Sequence, residues 1–396
     1  MKKIVLLFAF VGLLLNTHAQ DEKKESEGFK FVDEVTVAAT DVRDQHRSGT
    51  CWSFSALAFM ESEMLRMGKE PVDLAEMFVV RMAYEDKAKR YVRMHGKMNF
   101  AAGGAINDNF EVLVKYGMMP EEAYPGLNYG TDNHTHFEMD KVLNNYVDAV
   151  IKKKNPTLST AWFGGYQGVL DAYLGAVPEN FEYKGKTYTP KSFAEQVVGL
   201  DYDDYRMFSS FTHHPFYEEF VIEVPDNWTW GRVWNVRLDE MIETFDYALN
   251  NGYSIAWAAD VSEKGFSWSD GVAIVPDEEK KDLSGTEQAK WENLTEEEKK
   301  KALYAFDGPV NEKEISQQLR QKAFDNFSTT DDHGMQIVGI AKDQQGNKYY
   351  KVKNSWDANN IYDGYFYASE AYVKYKTLSY MVHKDAVPKK IMKKIK

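Results

Sequence analysis

Cys51 is the only cysteine in the chain, and this bounds what the chain can fold into. No internal disulfide can staple the structure, so 396 residues must be held by an apolar core. A content of 43% hydrophobic and 14% aromatic residues supplies one. Cys51 sits where a loop turns into a helix. Gln45-His46-Arg47-Ser48-Gly49-Thr50 precede it, residues 56–67 are rich in helix formers and apolar side chains, and Gly68 is a helix stop. A thiol at a helix N-terminus faces unpaired backbone N–H groups and the positive end of the helix dipole, which favour the nucleophilic thiolate. The plain alternative is a buried structural cysteine.

The N-terminus carries the pattern of a signal peptide over residues 1–19. Lys2 and Lys3 give the charged start, and Thr17-His18-Ala19 a small-residue cleavage site. The apolar run between them is about 12 residues, short of the roughly 20 that a membrane span needs. Export is expected, to a periplasm or to the outside, with no stable membrane anchor. Residues 20–28 are polar and charged and read as a flexible segment. A net charge of −13 argues against a nucleic-acid partner.

Helical spacing continues to about Arg93 and again over residues 108–116. Between them lies an Ala101-Ala102-Gly103-Gly104 loop that backbone can approach closely. Residues 136–230 carry no readable chemical motif. Further helices are expected over 238–249 and 312–324, and a buried strand over 253–261. The C-terminal part changes to strands: 333–340, a turn at Asp343-Gln344-Gln345-Gly346-Asn347, 349–356 and 364–368. A helical first part and a stranded last part imply two packed subdomains with a cleft between them.

Cysteine nucleophilic catalysis needs a base beside the thiol, a group that orients the base, and donors for the oxyanion. The candidates are Cys51, His333, Asn354 and Gln45. A histidine at a strand start can meet an asparagine on the neighbouring strand. Gln45, six residues before the cysteine, can donate its amide beside the Cys51 N–H. The pairs His134/His136 and His213/His214 have no cysteine or matching carboxylate nearby in sequence, so no metal site is expected. His46 is placed at the cleft edge.

Gln45 to Ser55, Gly103-Gly104, Asp332-His333-Gly334-Met335, Asn354-Ser355-Trp356 and Asp363-Gly364-Tyr365-Phe366 resemble, in order, the papain-like cysteine peptidases. The resemblance implies an α+β fold of two subdomains, a helical one with the nucleophile and an antiparallel β one with the histidine. It makes Cys51 the nucleophile, His333 the acid/base, Asn354 its orienter and Gln45 the oxyanion donor. Trp356 would shield the histidine–asparagine contact, and Gly103 and Gly104 would pair with the substrate backbone. No cofactor and no metal are implied, and peptides are the implied substrates.

Departures from that pattern narrow it. Ser48 stands where such enzymes usually carry a second cysteine. Their histidine lies roughly 130–150 residues after the nucleophile, against about 280 here. A disulfide-free core with a large insertion is similar to the bleomycin hydrolase and aminopeptidase C branch, as are residues 115–125, 236–261 and 381–388. The expected layout is a helical subdomain over 29–135, a mainly helical insertion over 136–230 and a β subdomain over 231–396. The branch implies a homo-oligomer, a hexamer, and cleavage limited to the peptide N-terminus by a C-terminal tail that reaches the cleft. No equivalent of that tail is recognised here, so aminopeptidase and endopeptidase both stay open. Cysteine–histidine chemistry also supports acyl transfer to an amine, and a non-catalytic peptide-binding protein is the remaining reading.

Overall fold

A computed structural model describes residues 28–152, 157–277 and 293–395. The expected signal peptide, residues 20–27 and the middle of the charged stretch after Asp277 lie outside the described residues. Among the described residues no helix is long and apolar enough to cross a membrane.

The first part is helical: α1 (Cys51–Arg66), α2 (Glu76–Arg93), α3 (Ile106–Tyr116), α4 (Phe137–Ile151) and α5 (Ala161–Leu174). α1 is the hub. Its residues 52–57 and 59–64 are all buried, so it shows no one-sided apolar stripe. The acids inside it are therefore paired. Glu61 accepts from Leu74 N at 2.8 Å and from Thr40 Oγ1, and Glu63 holds Arg66 through two bonds of 3.0 and 2.8 Å. Gly68, at φ +74°, lies just past its end.

Eleven strands form one sheet: β1 (Phe31–Thr36), β2 (Tyr205–Ser209), β3 (Glu219–Val221), β4 (Arg232–Asn235), β5 (Ile255–Ala259), β6 (Phe266–Ser267), β7 (Val272–Ala273), β8 (His333–Asp343), β9 (Lys348–Lys353), β10 (Tyr365–Ser369) and β11 (Thr377–His383). Their order is β3-β4-β2-β11-β5-β8-β9-β10-β7-β6. The long β8 pairs with β9 along one edge. Along the other it pairs first with β5 (His333↔Ala259) and then with β1 (Gly339↔Thr36). A Cβ on Gly339 would lie 2.4 Å from Val35 O, so only glycine fits at that junction.

α1 packs on β8 from the helical side, where buried Gln336 Nε2 donates to Ser62 Oγ at 2.7 Å and to Ser254 Oγ at 3.0 Å. The other face of the sheet is covered by α6 (Leu238–Asn250), which puts Met241, Phe245 and Leu249 into a second core with Trp257, Ile337 and Tyr350. Ile391 and Ile395 join that core, and Lys394 bonds Glu240.

The segment over 136–230 is helical at its start and stranded at its end. α4 and α5 lie against α2, whereas β2 and β3 enter the main sheet, β2 directly beside β11. The helix expected over 312–324 begins only at α7 (Gln317–Asp325), because Ser316 caps it by accepting from Leu319 N at 3.1 Å. Glu312 instead turns inward, accepting from Val275 N at 2.7 Å and Ser369 Oγ at 2.6 Å.

Candidate active site

Cys51 is the first residue of α1 and keeps part of its surface open to a cleft. The backbone N–H groups of Gly334 and Trp52 point at its sulfur. Burial, aided by the nearby Asp331 and Asp226 carboxylates, outweighs them and pushes the thiol up to about 12. A Cβ on Gly334 would lie 2.6 Å from Ser55 Oγ and 3.3 Å from Trp52 Cα. That glycine lets the start of β8 lie against the first turn of α1.

His333 opens β8 and lines the same cavity as Cys51, a space of about 560 Å³ partly open to solvent. Its Nε2 donates to Asn354 Oδ1 at 2.7 Å. Ser355 N donates to the same oxygen at 2.8 Å, which sets the amide's orientation. This leaves Nδ1 as the ring's lone-pair nitrogen. Burial lowers His333 to about 4, against the Asn354 bond and the Asp332 charge. Asp332 accepts from Ser262 N at 3.0 Å and Thr330 Oγ1 at 2.8 Å, and so pins the entry to β8. Among the described residues, buried Asn354 Nδ2 has no partner.

Gln45 is tied to the asparagine side of this arrangement. Its N–H donates to Ser355 O at 2.9 Å, and its Oε1 accepts from Ser355 Oγ at 2.7 Å. With Oε1 used, the amide nitrogen is the end left to donate. Ser48 Oγ donates to Gln45 O at 2.8 Å. The position where a disulfide cysteine is usual thus carries a hydroxyl that braces the Gln45 loop. Trp356 lies on the His333 ring, centroids 4.6 Å apart, and is boxed by Phe266 and Trp268.

Gly103 and Gly104 are required by what surrounds them. A Cβ on Gly104 would come within 2.9 Å of the Trp52 ring and of Asp108, and one on Gly103 within 1.8 Å of Asp226 Oδ2. Buried Lys87 donates from below to Ala101 O and Gly103 O. Beyond Cys51 the cavity is walled by Ile222, Val224 and Leu378, with Asp226 and Asp331 at the same site. Burial pushes Asp331 up to about 7, with Asp226 and Asp332 adding to the shift. Trp228 Nε1 donates to Asp108 Oδ2 at 2.6 Å, which ties this wall to α3.

The structure thus brings Cys51, His333, Asn354, Gln45, Trp356 and the double glycine to one cleft. His46 stands outside the arrangement: it is exposed, at φ 48°, with its ring 3.1 Å from His134 O. His134 and His136 pack beside it, burial lowering them to about 4 and about 3. His213 and His214 lie against Glu223, a carboxylate the sequence does not place near them. Sequence reasoning gave no role to Ser355, Asp226, Asp331, Phe266 or Trp268. Only Ser355 had a signal, its place between Asn354 and Trp356.

Comparison with known proteins agrees with this fold. A family model described as papain family cysteine protease matches residues 30–192, and one described as Peptidase C1-like family matches residues 292–396. Aminopeptidase C of Lactobacillus helveticus is 23% identical over 88% of this chain and 81% of that protein. Aminopeptidase C of Listeria monocytogenes is 22% identical over 90% of this chain and 83% of that protein. The crystal structure of pepw from Lactobacillus rhamnosis superposes with a TM-score of 0.68 at 18% identity, covering 92% of this chain and 84% of that one. With the α+β fold and matches at both ends of the chain in agreement, this protein is a papain-like cysteine peptidase, similar over most of its length to the aminopeptidase C proteins.

Proposed function

We propose that the protein is an exported aminopeptidase in which Cys51 attacks the carbonyl of a substrate's N-terminal residues. The observation that carries the reading is the His333–Asn354 bond of 2.7 Å inside the cavity that Cys51 lines. Burial disfavours a charge on the thiol and on the imidazole taken singly. Moving the thiol proton to His333 Nδ1 creates both charges together, and each then screens the other. The thiolate adds to the carbonyl carbon, and the oxyanion takes hydrogen bonds from Gln45 Nε2 and the Cys51 N–H. His333 returns the proton to the leaving amine as the C–N bond breaks. Water then attacks the thioester, gives a proton to His333, and releases the acid and the thiol.

Two observations favour action at the N-terminus. The relatives that cover most of the chain are named aminopeptidase C. Asp226 and Asp331 also put two carboxylates in the cavity, Asp226 directly beside Gly103. A free α-ammonium reaching past the double glycine would meet them. Export is supported by the charged, apolar and small-residue pattern of residues 1–19.

One peptide, offered with a free and with an acetylated N-terminus in reductant, tests the reading. Stepwise release from the free form alone is expected. Internal cleavage of both forms at similar rates would make the enzyme an endopeptidase, and transfer to an added amine in place of hydrolysis would make it an acyltransferase.

A further inference from the structure

His213 and His214 follow the end of β2, and Glu223 follows β3. Their ligand-type atoms all lie within 4.8 Å of one another. His213 Nε2 stands 3.0 Å from Glu223 Oε2, and His214 Nε2 stands 2.8 Å from Glu223 Oε1. Ligands bonded to one metal ion at about 2.0–2.1 Å are themselves about 2.9–3.3 Å apart. Each histidine thus already stands at coordination-sphere spacing from one oxygen of the carboxylate, and a small approach of the two rings, within 4.8 Å of each other, completes the set.

The rings are also held in place. His214 stacks on Phe220, centroids 4.5 Å apart at 25°, and His213 stacks on Phe324 at 5.6 Å and 20°. Gln321 of α7 sits behind His213, its Nε2 at 3.0 Å and its Oε1 at 3.3 Å from Nδ1. Thr212 N donates to that Oε1, and Nε2 donates to Asp325 Oδ1 at 2.8 Å. Gln321 can therefore serve either tautomer of His213 without moving. With a proton on His213 Nε2, that proton goes to Glu223 and Nδ1 accepts from the glutamine nitrogen. With a proton on Nδ1, it goes to the glutamine oxygen and Nε2 presents its lone pair forward. The second arrangement is the usual support of a metal-bound imidazole.

We propose that His213, His214 and Glu223 bind a divalent transition-metal ion, zinc by the chemistry of two imidazoles and a carboxylate. The ion replaces the Nε2 protons as Glu223's partner, the imidazoles binding it as neutral Nδ1–H tautomers. Solvent completes its coordination. Glu223 lies between Ile222 and Val224, which wall the Cys51 cavity, and α7 leads through Asp331 to His333. The ion ties the segment beside the cavity wall to the loop after β2, and His213 passes that hold to α7 through Gln321.

The test uses the full chain with Cys51→Ala, because a thiol beside His333 can itself take up zinc. Calorimetry with zinc chloride should give one equivalent bound at about 10 µM or tighter, with a rise in Tm, since only the folded site binds. Cobalt(II) should give visible d–d absorption. Glu223→Gln, which keeps the shape and a hydrogen-bonding group, should weaken zinc binding at least about tenfold. His214→Ala should do the same, and Glu218→Gln on the same surface should leave it unchanged. No zinc binding by the Cys51→Ala protein, or equal affinity in Glu223→Gln, would overturn the proposal and leave two histidine–glutamate hydrogen bonds.

Discussion

The two sides of the cleft are built on different plans. On the His333 side the key groups hold one another: Nε2 to Asn354, Ser355 to Gln45 by backbone and side chain, Trp356 over the imidazole. Asn354 and Gln45 each have one orientation because their side-chain oxygens are taken, the first by His333 and Ser355 N, the second by Ser355 Oγ. On the facing side Ile222 and Val224 form an apolar wall with Asp226 and Asp331 set into it. There the carboxylates line the cavity, Asp226 accepting from Asn99 Nδ2 at 3.0 Å, and burial drives Asp331 toward its neutral form. The first side is pre-organised for a reaction common to all peptide bonds. The second leaves charge and volume to be matched by whatever enters, and so selects the substrate.

If that division holds, the largest losses come from the nucleophile and the side that fixes the chemistry. Cys51→Ala should lower kcat by at least about 10⁴-fold, because the covalent step has no substitute. Turnover near the wild-type level on a free peptide would end the peptidase reading. Gln45→Ala should lower kcat by about 10²–10³-fold with little change in KM, as expected of a donor used in the transition state. Ser355→Ala should cost less, about tenfold, since it frees the Gln45 amide to turn without removing it. Equal losses for Gln45→Ala and Ser355→Ala would mean that orientation alone carries the effect.

The difference between the two sides is also a difference in what sequence can disclose. α1 was legible because helix formers fill residues 56–67 shortly after Cys51 and Gly68 ends them. β8 and β9 were legible because two short strand-like runs flank the Asp343–Asn347 turn, where Asp343 Oδ1 accepts from Gln345 N and Asn347 N at 2.9 Å each. His333 opens β8 and Asn354 directly follows β9, which ends at Lys353 rather than running on to Trp356, so the hairpin still brings the two together. The facing wall has no such local cause. Asp226 comes from the loop before β4 and Asp331 from the loop before β8, and the sheet path joins them. Glu223 reaches His213 and His214 by the same kind of return. The late start of α7 was missed because Glu312, Lys313 and Glu314 are good helix formers, whereas the Glu312 side chain is spent on Val275 N and Ser369.

The acidic wall gives a smaller kinetic effect that would sharpen the comparison. Asp226→Asn and Asp331→Asn should raise KM for a peptide with a free N-terminus severalfold, leaving kcat within about twofold, because they remove binding common to ground and transition states. The acetylated peptide should gain rather than lose. A fall in kcat equal to that of Gln45→Ala would place these carboxylates in the chemistry and dissolve the division.

The smallest effect is on stability, and its sign differs between the sides. Asp331, with Glu61, Asp108 and Asp140, is pushed up to about 7 by burial. Between the unfolded carboxyl value near 4 and about 7 the folded state holds more protons, so these groups lower stability as pH rises through that window. His333, His134 and His136 are pushed down by burial, so they lower stability as pH falls from 6.5 toward 4. The two sets oppose each other below about pH 6.5. Above it the raised carboxyls dominate, Glu121, raised to about 8, extends their reach, and buried Lys87, lowered to about 8, opposes them only at the upper end of the window. Tm should therefore fall between pH 6.5 and 8. Asp331→Asn removes one of the contributing groups and should shrink that fall by about one to two degrees for a chain of this size. Scanning fluorimetry of both proteins across pH 5–8.5 measures it. A Tm that climbs steadily to pH 8.5 would mean that the cavity wall ionises freely, and that its carboxylates are as well solvated as those on the surface.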